Sequence, residues 1–112
     1  GDFTVESGYQ NVLGYLSRGR LLDGILASND FMAIGGMRAC REFGLAIPDD
    51  VRVIGNDDLT LDSYLGPPLS TLSQRRMDVA REVIGELVSR RDDGTAPRKI
   101  VLKPELIVRD TS

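Results

Sequence analysis

Three adjacent polar residues, Asn56, Asp57 and Asp58, follow a β-branched run that ends in Gly55. Carboxylates set down where a strand stops can accept hydrogen bonds from ligand hydroxyls, which is how a polyhydroxy ligand is held in one orientation. A solvated loop with Asp57 or Asp58 closing a turn, or an acidic pair that holds magnesium, would use the same residue types. Asn29 and Asp30 form a second pair, again between a short apolar run and a helical pattern. Both residue types cap helices well and a cap needs one side chain, so Asp30 is expected to cap and Asn29 to face a ligand. Phe3 stands in a loop of a chain with only 5% aromatic residues, as a core residue or as a stacking surface for a sugar or base. Gln74 and Arg76 come after a further strand pattern, where a ligand contact and an ordinary helix-leading residue look alike. Asp30 and Arg76 are the secondary candidates of this set.

The elements that must position these residues alternate. Thr4 is placed to cap a helix over 5–17, with Gly19 beyond its end. A strand over 24–27, a helix over 31–43 and the left-handed stop at Gly44 follow. Pro48, Asp49 and Asp50 make a turn into Val51, Val53 and Ile54. Residues 69–73 and the pieces 100–102 and 106–108, split by Pro104, read as further strands. A helix over 77–91 carries Val79, Ala80, Val83, Ile84, Leu87 and Val88 as one apolar stripe, and a loop over 92–97 ends it. Alternation of this kind predicts βαβ units, a mostly parallel sheet and helices on both faces. In such sheets ligands lie outside the carboxyl ends of the strands, where Asn29 and Asp57 both fall. The first helix lacks a strand of its own, which suggests a fragment cut just upstream of Gly1.

The helix over 31–43 carries a second signal. Met32, Ala33, Gly36, Met37, Cys40 and Phe43 gather on one side, suited to the sheet, and Arg38, Arg41 and Glu42 on the other. Phe31 and Ile34 fall among those charges, as a partner surface would require. The lone Cys40 is expected to be a small buried hydrophobe.

Bulk properties narrow the classes. The chain has 112 residues, 41% apolar and 28% charged, with a net charge of −3. It is long enough for one small domain, and too acidic to neutralise nucleic-acid phosphates by itself. With no histidine and one cysteine, zinc sites, His-based catalysis and internal disulfides are excluded within it. No phosphate-binding glycine loop, membrane span or signal peptide is seen, so no cofactor, a non-enzyme and a cytoplasmic setting are expected.

Four segments and a closing one together resemble the lac repressor/gal repressor family of transcription factors. Gly1-Asp2-Phe3 with Ser7-Gly8-Tyr9 is similar to the family's Gly-Asp-aromatic…Ser-Gly opening. Residues 27–35 resemble its Ala-x-Asn-Asp-x-Met-Ala-x-Gly helix start, and residues 47–58 its Val-Pro-x-Asp-Val-x-Val-x-Gly-aromatic-Asp-Asp. Pro67-Pro68-Leu69-Ser70-Thr71-Leu72 with Gln74, and the ending from Pro104 to Asp110, match in order and spacing. Asn56 departs from the pattern by standing where the family has an aromatic residue.

The resemblance implies a two-lobed effector domain of periplasmic-binding-protein type, joined in the whole protein to a DNA-binding helix-turn-helix. It places residues 1–74 in the C-terminal lobe, 75–97 in a crossover and helix of the N-terminal lobe, and 98–112 in returning strands. It implies effector contacts at Phe3, Asn29, Asp57 and Gln74, and a homodimer surface at Phe31, Ile34, Tyr64 and Leu65. The effector would be a sugar or a nucleoside-like molecule, with DNA bound only through an upstream domain and no membrane involved. A sugar-binding protein of a transporter shares the fold and is the alternative. With the other lobe absent, the 79–88 stripe is expected to fold back on its own lobe or to meet another copy.

Overall fold

The computed structural model describes residues 1–89, 94 and 98–112. The expected end of the third helix at 90–91, and the loop over 92–97 apart from Gly94, lie outside the described residues.

Thr4 opens helix α1 (Val5–Leu16) by accepting the Ser7 N–H on its hydroxyl at 3.1 Å, and Gly19 closes it at φ +71°. Strand β1 (Gly24–Leu26) leads into α2 (Asp30–Glu42), which ends at Gly44 with φ +75°. Strand β2 (Arg52–Asn56), a 3-10 turn (Thr60–Tyr64) and β3 (Ser70–Ser73) come next. Helix α3 (Arg76–Ser89) and β4 (Glu105–Ile107) complete the order. The sheet order is β1-β2-β3-β4, parallel through the first three strands and antiparallel at β4. The piece 100–102 is not a strand.

Glycine lets α1 and α2 touch backbone to backbone. A Cβ at Gly8 would strike the Met32 backbone, and one at Gly35 would strike the Val5 carbonyl and Tyr9 amide. Below that contact, Leu16, Ala33, Met37 and Cys40 pack with Ala27, Val51, Val53 and Leu69 to form the core. Cys40 is fully buried, and burial pushes its thiol pKa up. Phe43, expected on the sheet side, is 44% exposed beyond the core's edge.

The end of the chain completes the sheet from inside. Thr111, fully buried, accepts the Val53 N–H on its carbonyl at 2.7 Å. Its hydroxyl donates to the Val53 carbonyl and accepts the Ser70 N–H.

α2 covers the sheet face that carries Ile25 and Val53. Leu26 and Leu106, on strands of the same sheet, stay open among the described residues. α3 does not fold back: none of its residues is buried, and Val83, Ile84, Leu87 and Val88 are all more than half exposed. The molecule measures 61 × 24 × 19 Å, and its radius of gyration is 18.1 Å. A compact chain of this length would have about 13 Å. The fold-back expectation is therefore corrected: the segment after β3 carries the helix away from the surface it would have to cover.

Candidate functional site

Because β1, β2 and β3 run parallel, their carboxyl ends share one edge. Asn29 follows β1, Asp57 follows β2, and Gln74 follows β3. The structure joins the sequence-predicted residues there in three groups.

At the end of β1, Asn29 and Phe3 meet. The Asn29 side chain accepts the Met32 N–H at 2.9 Å and donates to the Phe3 carbonyl at 2.9 Å. Asn29 is thus the α2 cap, and the assignment of that role to Asp30 is corrected. Its extended backbone (φ −152°, ψ 170°) turns the amide over the first helical N–H groups. The Phe3 loop is further braced by Asp2, whose Oδ1 accepts the Thr4 hydroxyl at 2.6 Å and the Thr4 N–H at 3.2 Å. Those bonds from Thr4 and Ser7 hold the Asp2 pKa down at about 2. Phe3 itself is 62% exposed at φ +65°, a projecting ring and not a core residue.

At the end of β2, the Asp57 carboxylate makes no hydrogen bond among the described residues, while its N–H donates to the Leu72 carbonyl at 2.9 Å. Burial raises its pKa, the Asp30 charge adds to this, and Arg76 opposes it. Asp57, Arg76, Asp58 and Ser73 line a shallow cavity of about 430 Å³. Arg76 reaches the Asp58 carbonyl at 3.5 Å.

At the end of β3, Gln74 donates to Asn56 Oδ1 at 3.4 Å, and Asn56 donates to the Ser28 carbonyl at 3.2 Å. The residue that replaces the family's aromatic therefore spans all three strand ends. Asn56 and Gln74 line a cavity of about 360 Å³ with Val79, Val83 and Ile100.

Backbone strain gathers on the same edge. Among the described residues, the non-glycine positions with positive φ are Phe3, Asp57, Asp58 and Arg75. Each costs on the order of 1–3 kcal/mol and persists only where surrounding bonds enforce it.

What enforces this strain, the part played by Asp30 and Arg109, was not legible in advance. Asp30 is fully buried, so its carboxylate is not presented to the cleft; it accepts the Thr71 hydroxyl at 2.6 Å and the Leu59 N–H at 3.1 Å. Gly55 permits this approach, since a side chain there would run into Asp30 Oδ1. Arg109 clamps the other flank, donating to Asp58 Oδ1 at 3.0 Å and to the Leu69 carbonyl at 2.7 Å. Among the described residues no group of three potential metal ligands is present.

A family model described as a periplasmic binding protein-like domain matches residues 2–112. The HTH-type transcriptional regulator AscG of Escherichia coli is 38% identical over 99% of this chain, and the transcriptional repressor PurR of Haemophilus influenzae is 34% identical over 97%. A dimeric lac repressor with an 11-residue C-terminal deletion superposes on all of this chain at a TM-score of 0.94 and 31% identity. The chain belongs to the lac repressor/gal repressor family. It spans about a third of those curated relatives, 33% of AscG and 34% of PurR, and 41% of that lac repressor chain. A family regulator from Arthrobacter, solved in complex with lactose, matches 97% of the chain and is covered over 41% of its own, at a TM-score of 0.89 and 32% identity.

The residues assigned to a dimer surface differ in exposure. Phe31 is 45% and Tyr64 80% exposed, with Ile34 half-buried. Leu65 packs partly on the core. No helix among the described residues is long and apolar enough to cross a membrane.

Proposed function

We propose that this chain is the effector-sensing part of a sugar-responsive transcriptional repressor that acts in the cytoplasm and catalyses no reaction. The observation that carries the reading is the strained carboxyl edge, where Asn29, Asp57 and Gln74 follow consecutive parallel strands and Asn29 holds the Phe3 loop beside them. In this reading Phe3 stacks on the apolar face of a sugar or nucleoside-like effector. The free Asp57 carboxylate accepts its hydroxyls and the Gln74 amide completes the set, while the buried Asn29 amide, bonded to the Met32 N–H and the Phe3 carbonyl, holds the Phe3 loop in place. Arg76 borders the same cavity as Asp57 and tunes its charge. The relatives named as transcriptional regulators support the regulatory role, and the relative solved with lactose supports a sugar as ligand.

The remaining wall of the cleft belongs to an N-terminal lobe, to which residues 75–97 would also belong. An effector bridging two lobes favours one closure state by its differential affinity, and so shifts the equilibrium of a DNA-binding domain elsewhere in the protein. Phe31, Ile34, Tyr64 and Leu65 would form the homodimer contact.

Calorimetry on the intact protein with a panel of sugars and nucleosides tests the reading. Asp57→Ala should weaken the ligand found by about 1–3 kcal/mol, through loss of its hydroxyl contacts. A ligand bound equally well by this variant would remove Asp57 from the site.

A further inference from the structure

Beneath the turn that carries Asp57, two carboxylates from different elements converge on one backbone N–H. Asp30 opens α2 and Asp62 lies in the 3-10 turn, and both are fully buried. The Leu59 N–H donates to Asp62 Oδ2 at 2.8 Å and to Asp30 Oδ2 at 3.1 Å. Asp30 Oδ1 takes the Thr71 hydroxyl, whereas the buried Asp62 Oδ1 has no donor among the described residues. Asp30 and Asp62 are themselves within hydrogen-bond reach.

The surrounding charges do not balance two anions. Arg109, from the closing segment, acts on Asp62 from a distance, and its guanidinium is bonded to Asp58 and to the Leu69 carbonyl. Asp57, on the turn itself, adds negative charge near Asp30, and Arg76 lies on the Asp57 side. α2 brings Asp30, and β3 the neutral Thr71. Two carboxylates that share a dry site with no cation between them do not both ionise.

We propose that the Asp30–Asp62 pair retains one proton, held between the facing carboxyl groups, and that this proton latches the 57–59 turn to the lobe. When the proton leaves to solvent, the two anions repel across the Leu59 N–H and the turn loosens. The latch exists whether or not Asp57 binds an effector; only its consequence for binding rests on the proposed function. Burial first, and the Asp30 neighbour second, push the Asp62 pKa up to about 7. A carboxyl raised in the folded state binds its proton more tightly there than in the unfolded chain. Its stabilisation is complete below the ordinary carboxylate range and is lost as pH rises through about 7.

The test follows the aspartate carboxyl carbons and the Leu59 amide proton of the full chain by NMR, from about pH 4 to about pH 9. One carboxyl step with a midpoint near neutrality, shared by the Leu59 amide, is expected. Asp62→Asn replaces the shared proton by an amide N–H of the same shape. It should abolish that step and flatten the fall in unfolding temperature across the window. Carboxyls that all titrate below about pH 5, with an unmoving Leu59 amide, would overturn the latch. The natural chain alone decides that outcome, whatever the variant's folding and whatever ligand the cleft takes.

Discussion

Replacing Arg109 with methionine keeps an unbranched apolar stem and removes the guanidinium that joins Asp58 to the Leu69 carbonyl. Two hydrogen bonds go, at 3.0 and 2.7 Å, each with a charged donor. Such bonds contribute about 1.5–3 kcal/mol apiece when shielded. The side chains of Arg109 and Asp58 are 21% and 32% exposed, so water recovers part of the ion pair and that half is discounted. Leu69 is fully buried, and its carbonyl bond is the costlier loss. A net destabilisation of about 2 kcal/mol is expected, or a fall of roughly 8–10 °C in Tm for a chain of this size. Urea unfolding of the single variants and of Arg109→Met with Asp58→Asn measures it. Because Asp58→Asn leaves the Leu69 bond in place, the double variant should cost less than the sum by about 0.5–1.5 kcal/mol. A loss below about 0.5 kcal/mol, or strict additivity, would show that Arg109 does not clamp the turn.

Three further outcomes are expected. Gly35→Ala drives a methyl group into the Val5 carbonyl and should cost about 1–3 kcal/mol by forcing α1 from α2; an unchanged urea midpoint would contradict that backbone contact. Asn29→Ala removes the α2 cap for about 1 kcal/mol and also frees the Phe3 loop, whereas Asn29→Asp keeps the cap; equal losses from both would argue against the cap. In the intact protein, Ile34→Asp puts an unpaired charge on the Phe31 face and should yield monomers, and sedimentation of an unaltered dimer would reject that surface.

Local pattern sufficed wherever the deciding physics was local. The caps at Thr4, the stops at Gly19 and Gly44, and the β-branched run at Val51–Ile54 act within a few residues, and each element formed where its signal stands. Strand and helix alternation then carried Asn29, Asp57 and Gln74 to one edge, because parallel strands have only one carboxyl side. The choice between Asn29 and Asp30 was not local. Both can cap a helix, and what separates them is a recess formed by Gly55 and Thr71, far along the chain, that accepts a carboxylate. No local pattern stated what Asp62, Thr71 and Arg109 do: Thr71 reaches Asp58 across 13 residues and Asp30 across 41, Arg109 reaches Asp58 across 51, and only the Asp62–Leu59 contact is short. The α3 stripe shows the same limit from the other side. Helical periodicity states that a face is apolar, but only the three-dimensional path of the chain after β3 decides whether any surface lies within its reach.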